Sequence, residues 1–411
     1  MKQGNQTNRR RFLQTSIAGG VAALTSGATA KEIVLEPSRS TGRDIFETGT
    51  YGVPSQFATS ARIKGSANGL HGASRTPLAE THGIITPSGL HFEVHHGGVP
   101  DIPPLEHKLL IHGMVDDAKM FTMEDIMRFP SVSRTYFLEC SGNGEQEWSS
   151  PSASTTTVQA THGLTSCSEW TGVPLKLVLN EVGIRTDAKW MLAEGDDSSR
   201  MGRSIPMWKV LDDALLVYAQ NGEFLRPEQG FPLRLFVPGF EGNMNVKWLH
   251  RLEFGDKPWW SHQEVARYSD PRPNGKKVVF SFYMDAKSVI TSPSSTMRLN
   301  GPGFYEITGL AWSGKGKVAR VEVSTDGGAT WRDAHLQTPI MTKCHTRFRL
   351  PWNWNGRDAI LQSRVTDDTG YVQPDYEQLY VEKSRIGMMH NNAIQSWKVA
   401  ADGNVSNVHH V

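Results

Sequence analysis

Tyr136-Phe137-Leu138-Glu139-Cys140-Ser141-Gly142-Asn143 is the stretch on which the reading of this chain turns. Tyr136, Phe137 and Leu138 predict the end of a buried strand. Ser141-Gly142-Asn143 predicts a sharp turn. Cys140 then falls where a strand stops and a loop opens, a place where a rigid scaffold commonly holds a working side chain. A thiolate there is a soft metal ligand and a nucleophile. A thiol closed off there is a small hydrophobe. The stretch alone leaves both readings open.

Working outward, Lys108–Val115 predicts a strand and turn, and Phe121–Pro130 a short helix capped by Thr122 with Glu124 and Asp125 in its first turn. On the far side, Glu169-Trp170-Thr171-Gly172-Val173-Pro174-Leu175 leads into a helix over 176–182. Asn221-Gly222 marks a hairpin. From Thr291 short alternating strands dominate, with Asp326-Gly327-Gly328 as a turn, the rhythm of a β-sandwich. Leu90–Val94 alternates as a short strand before a Gly-rich turn, and residues 31–90 read as a loop-rich arm.

The chain has 411 residues, enough for two or three domains. Its formal charge of +1 gives no argument for nucleic acid or a membrane surface. Twelve tryptophans suggest core anchors, and three cysteines, Cys140, Cys167 and Cys344, argue against a fully paired disulfide framework. No Cys-x-x-Cys-His occurs, so no covalent haem is expected in this chain. Arg9-Arg10-Arg11-Phe12-Leu13, a mildly apolar stretch and Ala28-Thr29-Ala30 resemble a twin-arginine signal over 1–30, which carries folded proteins to the periplasm.

Glu139-Cys140-Ser141-Gly142-Asn143 resembles the cysteine loop of the sulfite oxidase family of molybdenum enzymes. The likeness continues through Trp170-Thr171-Gly172, through Val217–Gly239 and through Glu241-Gly242-Asn243-Met244-Asn245-Val246-Lys247-Trp248-Leu249, in family order, and runs from Leu90 to Val399. It implies an α+β chain: a mixed α/β molybdopterin domain over 91–275, then an immunoglobulin-like dimerisation domain over 276–411. It implies Cys140 as a ligand of molybdenum beside a pterin dithiolene, and Tyr268 as the phenol facing the metal. Arg234 and Lys247 would bind the pterin phosphate, the first through its planar fork and the second as a point charge. His95, His96, Gln229, Asn245 and Val246 would line the cofactor, with Asp196 or its neighbour Asp197. Gln229 stands where the family has a histidine, and Val94 where it has an arginine. Arg385 lies beside the position from which the family reaches an arginine into the partner subunit's site.

Within the family the chain most resembles the branch that oxidises sulfane sulfur held on a carrier-protein cysteine and passes electrons to a dihaem cytochrome c subunit. A homodimer within a heterotetramer is implied. The missing arginine at Val94 and the acidic Glu145 and Glu147 suit a substrate presented by a protein better than a free dianion. A free-sulfite dehydrogenase is the alternative, and a cofactor-free periplasmic binding or assembly protein on the same fold is another.

Overall fold

The computed structural model describes residues 51–55, 57–145, 147, 153–383 and 389–409. The twin-arginine segment, Arg385 and residues 31–50 lie outside them. The chain divides into two units, Met1–Ala58 and Thr59–Val411. The described residues of the first are exposed and form neither helix nor strand. All described helices and strands belong to the second unit.

The first domain is built on two five-stranded sheets. One runs, in spatial order, Glu223–Phe224, Leu215–Gln220, Thr165–Pro174, Val132–Glu139, with Arg234–Phe236 also pairing with Leu215–Gln220. The other runs Lys119–Thr122, Lys108–Gly113, Leu249–Gly255, Trp190–Gly195, Gly202–Pro206. Two helices fill the space beside them. Leu175–Val182 buries Leu175, Val178, Leu179 and Val182, a spacing that places all four on one helical face. Met207–Asp213 packs against it. The shared core holds Ile111, Met191, Leu216, Leu235, Leu252 and Phe254, each almost fully buried, and burying such side chains contributes roughly 1.5–3 kcal/mol apiece.

Local chemistry explains most boundaries. The helix Met123–Met127 starts at Thr122, whose hydroxyl accepts from the Asp125 N–H while the Asp125 carboxylate accepts from the Thr122 N–H. Asn221 and Gly222 carry positive φ, as a two-residue hairpin between Leu215–Gln220 and Glu223–Phe224 requires. Trp170, Trp312 and Trp397 are fully buried anchors, whereas Trp208 and Trp260 are mostly exposed.

The second domain is a sandwich of a four-stranded sheet (Lys287–Ser292, Gly303–Trp312, Thr346–Trp354, His335–Leu336) and a five-stranded one (Arg332–Asp333, Val318–Ser324, Ala359–Asp367, Ser396–Val399, Val405–Val408). Its core draws Ile307, Leu310 and Phe348 from the first sheet and Val321, Leu361, Val365 and Trp397 from the second. The turn after Val318–Ser324 is held by Asp326, which accepts from the Thr330 N–H and hydroxyl.

Two sequence expectations are corrected. The arm before residue 90 is not featureless: Ile63–Asn68 and His71–Arg75 form a hairpin, and His71–Arg75 pairs with Glu93–His95. Scattered Gly, Ser and Thr hid it because hydrophobic alternation is weak there. The strand expected over 90–94 shifts to Glu93–His95, since Ser88–Leu90 closes as a 3-10 turn.

Candidate active site

The strand Val132–Glu139 delivers two side chains to opposite sides. Glu139 faces the second domain and is completely buried. Its Oε1 accepts from Lys287 Nζ at 2.7 Å and from Asn143 Nδ2 at 2.9 Å, and its Oε2 from Trp312 Nε1 at 2.6 Å. Cys140 faces a cavity. The Cys140 N–H donates to Leu164 O, its carbonyl accepts from the Asn143 N–H, and Asn143 Oδ1 accepts from the Leu164 N–H. A β-carbon at Gly242 would lie 2.9 Å from Glu139 O and 3.3 Å from Cys140 Cα, so only glycine lets that turn close over the cysteine loop. Burial pushes the Cys140 thiol up to about 11. By itself it stays protonated, and a bound metal would displace the proton.

The cavity holds about 750 Å³ including its open mouth, within the range of cofactor sites. Deep in it sits Arg234, 2% exposed. It donates to the carbonyls of Gln229 and Asn245 at 3.0 and 3.1 Å and lies over the Trp170 ring. Its Nε has no hydrogen-bond partner among the described residues. Lys247 Nζ donates to Val94 O, Glu228 O and His95 Nδ1 at 2.9–3.1 Å. Burial, with Arg234 nearby, brings the Lys247 ammonium down to about 7. Neither cation makes an ion pair among the described residues, although buried charges are normally paired. Gly230, at φ 106°, packs against both, its missing β-carbon leaving room 3.0 Å from Lys247 and 3.2 Å from Arg234.

Around this pair the expected residues gather. Gln229 donates to Phe92 O and faces Arg234 with its side-chain oxygen. His95 donates from Nε2 to Glu93, which leaves Nδ1 to accept from Lys247. His96 Nε2 lies 3.1 Å from the Tyr268 hydroxyl. Burial holds His96 down to about 4, so it is neutral near pH 7. Tyr268 is 7% exposed, and burial with the Cys140 thiol nearby raises its phenol. Val246 and Asn245 line the cavity, the Asn245 side chain accepting from the Val237 N–H and donating to Glu241 O. Val94 is half-buried on the cavity wall.

Two placements differ from expectation. Asp197, not Asp196, lines the cavity; the Asp196 carboxylate is substantially exposed and faces Arg200 at 3.7 Å. The turn after Gly195 rotates consecutive side chains to opposite sides, which sequence cannot register. Glu147 turns away from the cavity and accepts from Asn407 Nδ2. Glu145 stays close, 3.3 Å from a β-carbon built on Gly142.

Sequence reading missed a buried network behind Tyr268. Arg203, fully buried, donates to both carboxylate oxygens of Glu264 at 3.1 Å, to Glu241 at 3.2 Å and to Asn243 Oδ1. Its guanidinium lies 4.7 Å from the centre of the Tyr268 ring. The available signal was an arginine inside the otherwise uncharged strand Gly202-Arg203-Ser204-Ile205-Pro206, a costly residue unless paired.

Residues 96–263 match the oxidoreductase molybdopterin binding domain, and residues 279–399 match the Mo-co oxidoreductase dimerisation domain. The crystal structure of the sulfane dehydrogenase SoxCD from Paracoccus pantotrophus superposes with a TM-score of 0.89 at 41% identity, covering 93% of this chain and 100% of that one. The chain belongs to the sulfite oxidase family of molybdopterin oxidoreductases. Among curated members, the mitochondrial sulfite oxidase of Drosophila melanogaster is 34% identical over 71% of this chain and 56% of its own length. The NADH nitrate reductase of Ulva prolifera is 31% identical over 68% of this chain and 36% of its own. The chain thus spans little more than half of the first protein and about a third of the second.

Proposed function

We propose that this chain is the catalytic subunit of a periplasmic sulfane dehydrogenase, exported by the twin-arginine route. It oxidises sulfane sulfur carried on a cysteine of a carrier protein and passes the electrons to a dihaem cytochrome c subunit. Two such chains would pair through the dimerisation domain within a heterotetramer. The single observation that carries this reading is the full-length likeness, at 41% identity, to a chain of a sulfane dehydrogenase.

The residues present suit a molybdenum–pterin cofactor. Two buried basic side chains line the cavity without carboxylate partners among the described residues, one of them with an unpartnered N–H, a donor set suited to a phosphate. On the same cavity the Cys140 thiol is the cysteine that faces inward, and no cluster of three or more His, Cys, Asp or Glu side chains competes with it for a metal among the described residues. When bound, the cofactor supplies oxygen-atom transfer to sulfur and takes up two electrons.

The chain's own residues then have definite tasks. Cys140 would hold the metal as a thiolate, released from its raised pKa by the metal's charge. Arg234 and Lys247 would bind the phosphate, with Gln229 fixing the arginine fork. His95, Asp197 and Val246 would shape the pterin slot. The Tyr268 phenol, protonated because its pKa is raised, stands ready to donate a hydrogen bond to an oxygen at the reacting centre, and His96 fixes the hydroxyl. At the position where the family carries an arginine, Val94 offers no charge to a free dianion. A carrier protein would gain binding energy across its surface, away from the reacting sulfur.

Molybdenum and pterin content of the purified exported chain tests this reading. Stoichiometric molybdenum is expected, and its absence from active protein would remove the assignment.

A further inference from the structure

The network behind Tyr268 does not end within the first domain. Glu241 offers one oxygen to Arg203 and the other to His390 Nε2 at 3.0 Å. His390 belongs to the second domain, just before the strand Ser396–Val399. Its Nδ1 lies 3.2 Å from Tyr283 O. Both ring nitrogens therefore face pure acceptors, which only the doubly protonated imidazolium satisfies. Two cations, Arg203 and His390, then balance two carboxylates, Glu241 and Glu264, in a site from which water is excluded.

The backbone of the same residue reaches the cysteine loop. The His390 N–H donates to Ser141 O at 2.7 Å, one residue from Cys140. Asn391 Nδ2 donates to Gly144 O at 2.8 Å, further along that loop. Ser141 is gripped from the other side by Asn243 Nδ2, and Asn243 accepts from Arg203. His390 takes φ 59°, a left-handed conformation uncommon outside glycine, and Lys383 Nζ donates to its carbonyl. A residue held by both ring nitrogens, N–H and carbonyl in an unfavourable conformation is over-determined by its surroundings.

We propose that His390 is a positioning residue: from the second domain it holds the cysteine loop through its backbone and the Tyr268 ring through Glu241 and Arg203. One residue thus sets both walls of the site, the metal-binding thiol and the phenol opposite. The inference rests on the functional reading above for its catalytic meaning and on geometry alone for the coupling.

The test compares His390→Ala and His390→Gln in the full chain. The first readout is alkylation of Cys140 in cofactor-free protein, followed by mass spectrometry, with buried Cys167 and Cys344 as internal controls. His390→Ala keeps the N–H to Ser141 O but strips that backbone of its ring anchors to Glu241 and Tyr283 O, so Cys140 alkylation should speed about tenfold or more, with the two controls unreacted. Gln, which still donates to Glu241, should restore much of the protection. In loaded enzyme, kcat should fall about tenfold in the Ala variant with KM nearly unchanged, because geometry at the reacting centre is what loosens. Alkylation of Cys140 at the unmodified rate, or all three cysteines reacting faster together, overturns the proposal. If His390→Ala does not fold, Glu241→Gln replaces it with the same two outcomes. Absence of turnover in the unmodified chain would sink the functional reading alone, since the alkylation ratio needs no turnover.

Discussion

Lys287→Met is the perturbation whose size the structure fixes best. Lys287 and Glu139 are 1% and 0% exposed and pair at 2.7 Å across the domain boundary. Lys287 Nζ also donates to Asn143 O in the cysteine loop. Methionine keeps the volume but leaves Glu139, among the described residues, with only the Asn143 and Trp312 side chains as donors. Removing one member of a buried pair costs about 3–5 kcal/mol, because the remaining charge stays in a low-dielectric site. Neutralising both members is far milder, so Lys287→Met with Glu139→Gln should recover most of the loss. Urea unfolding of the unmodified, single-variant and double-variant chains closes the cycle. A loss below about 1 kcal/mol in Lys287→Met would refute the reasoning, since that is the worth of a solvated pair.

Other outcomes follow from the same structure. Cys140→Ser should fold normally, retain little molybdenum and show almost no turnover, whereas Cys344→Ser, whose buried sulfur meets Thr135 O and Cys167 rather than the cavity, should stay active; assays of metal content and rate separate them. Arg234→Ala or Lys247→Ala should lower pterin content of purified protein, and normal content with slow turnover would place these residues on substrate instead. His91, His162 and His345 are held by burial to about 3, below their unfolded value near 6.5. The unfolded chain therefore binds more protons in that window, so stability should be full above about pH 6.5 and fall steadily toward pH 3; a flat denaturation series from pH 7 to 4 would contradict this. Val94→Arg should raise efficiency on free sulfite more than on carrier-bound sulfane, measured by steady-state kinetics.

Much of the site was legible in the sequence because its parts are local. Cys140 sits at a strand end announced by Tyr136–Leu138, and Arg234 is a charge in an apolar strand, so each carries its own signal. The sandwich was legible because the short alternating runs Val318–Ser324 and Ala359–Thr366 carry the period-two rhythm of strands. What escaped depends on pairing over long separations. Arg203, Glu241, Glu264 and His390 look like four unrelated polar residues until the fold seals them together. The swap between Asp196 and Asp197 turns on one backbone rotation. The hairpin of Ile63–Asn68 and His71–Arg75 lacks an apolar face of its own and is fixed by pairing with Glu93–His95.

The central claim, that this molybdenum site works on sulfur delivered by a protein, is tested most directly by one comparison. Catalytic efficiency is measured with a cysteine-bound sulfane on a carrier protein and with free sulfite, using cytochrome c as acceptor. The account predicts much higher efficiency with the carrier, and equal or better efficiency with free sulfite would contradict it.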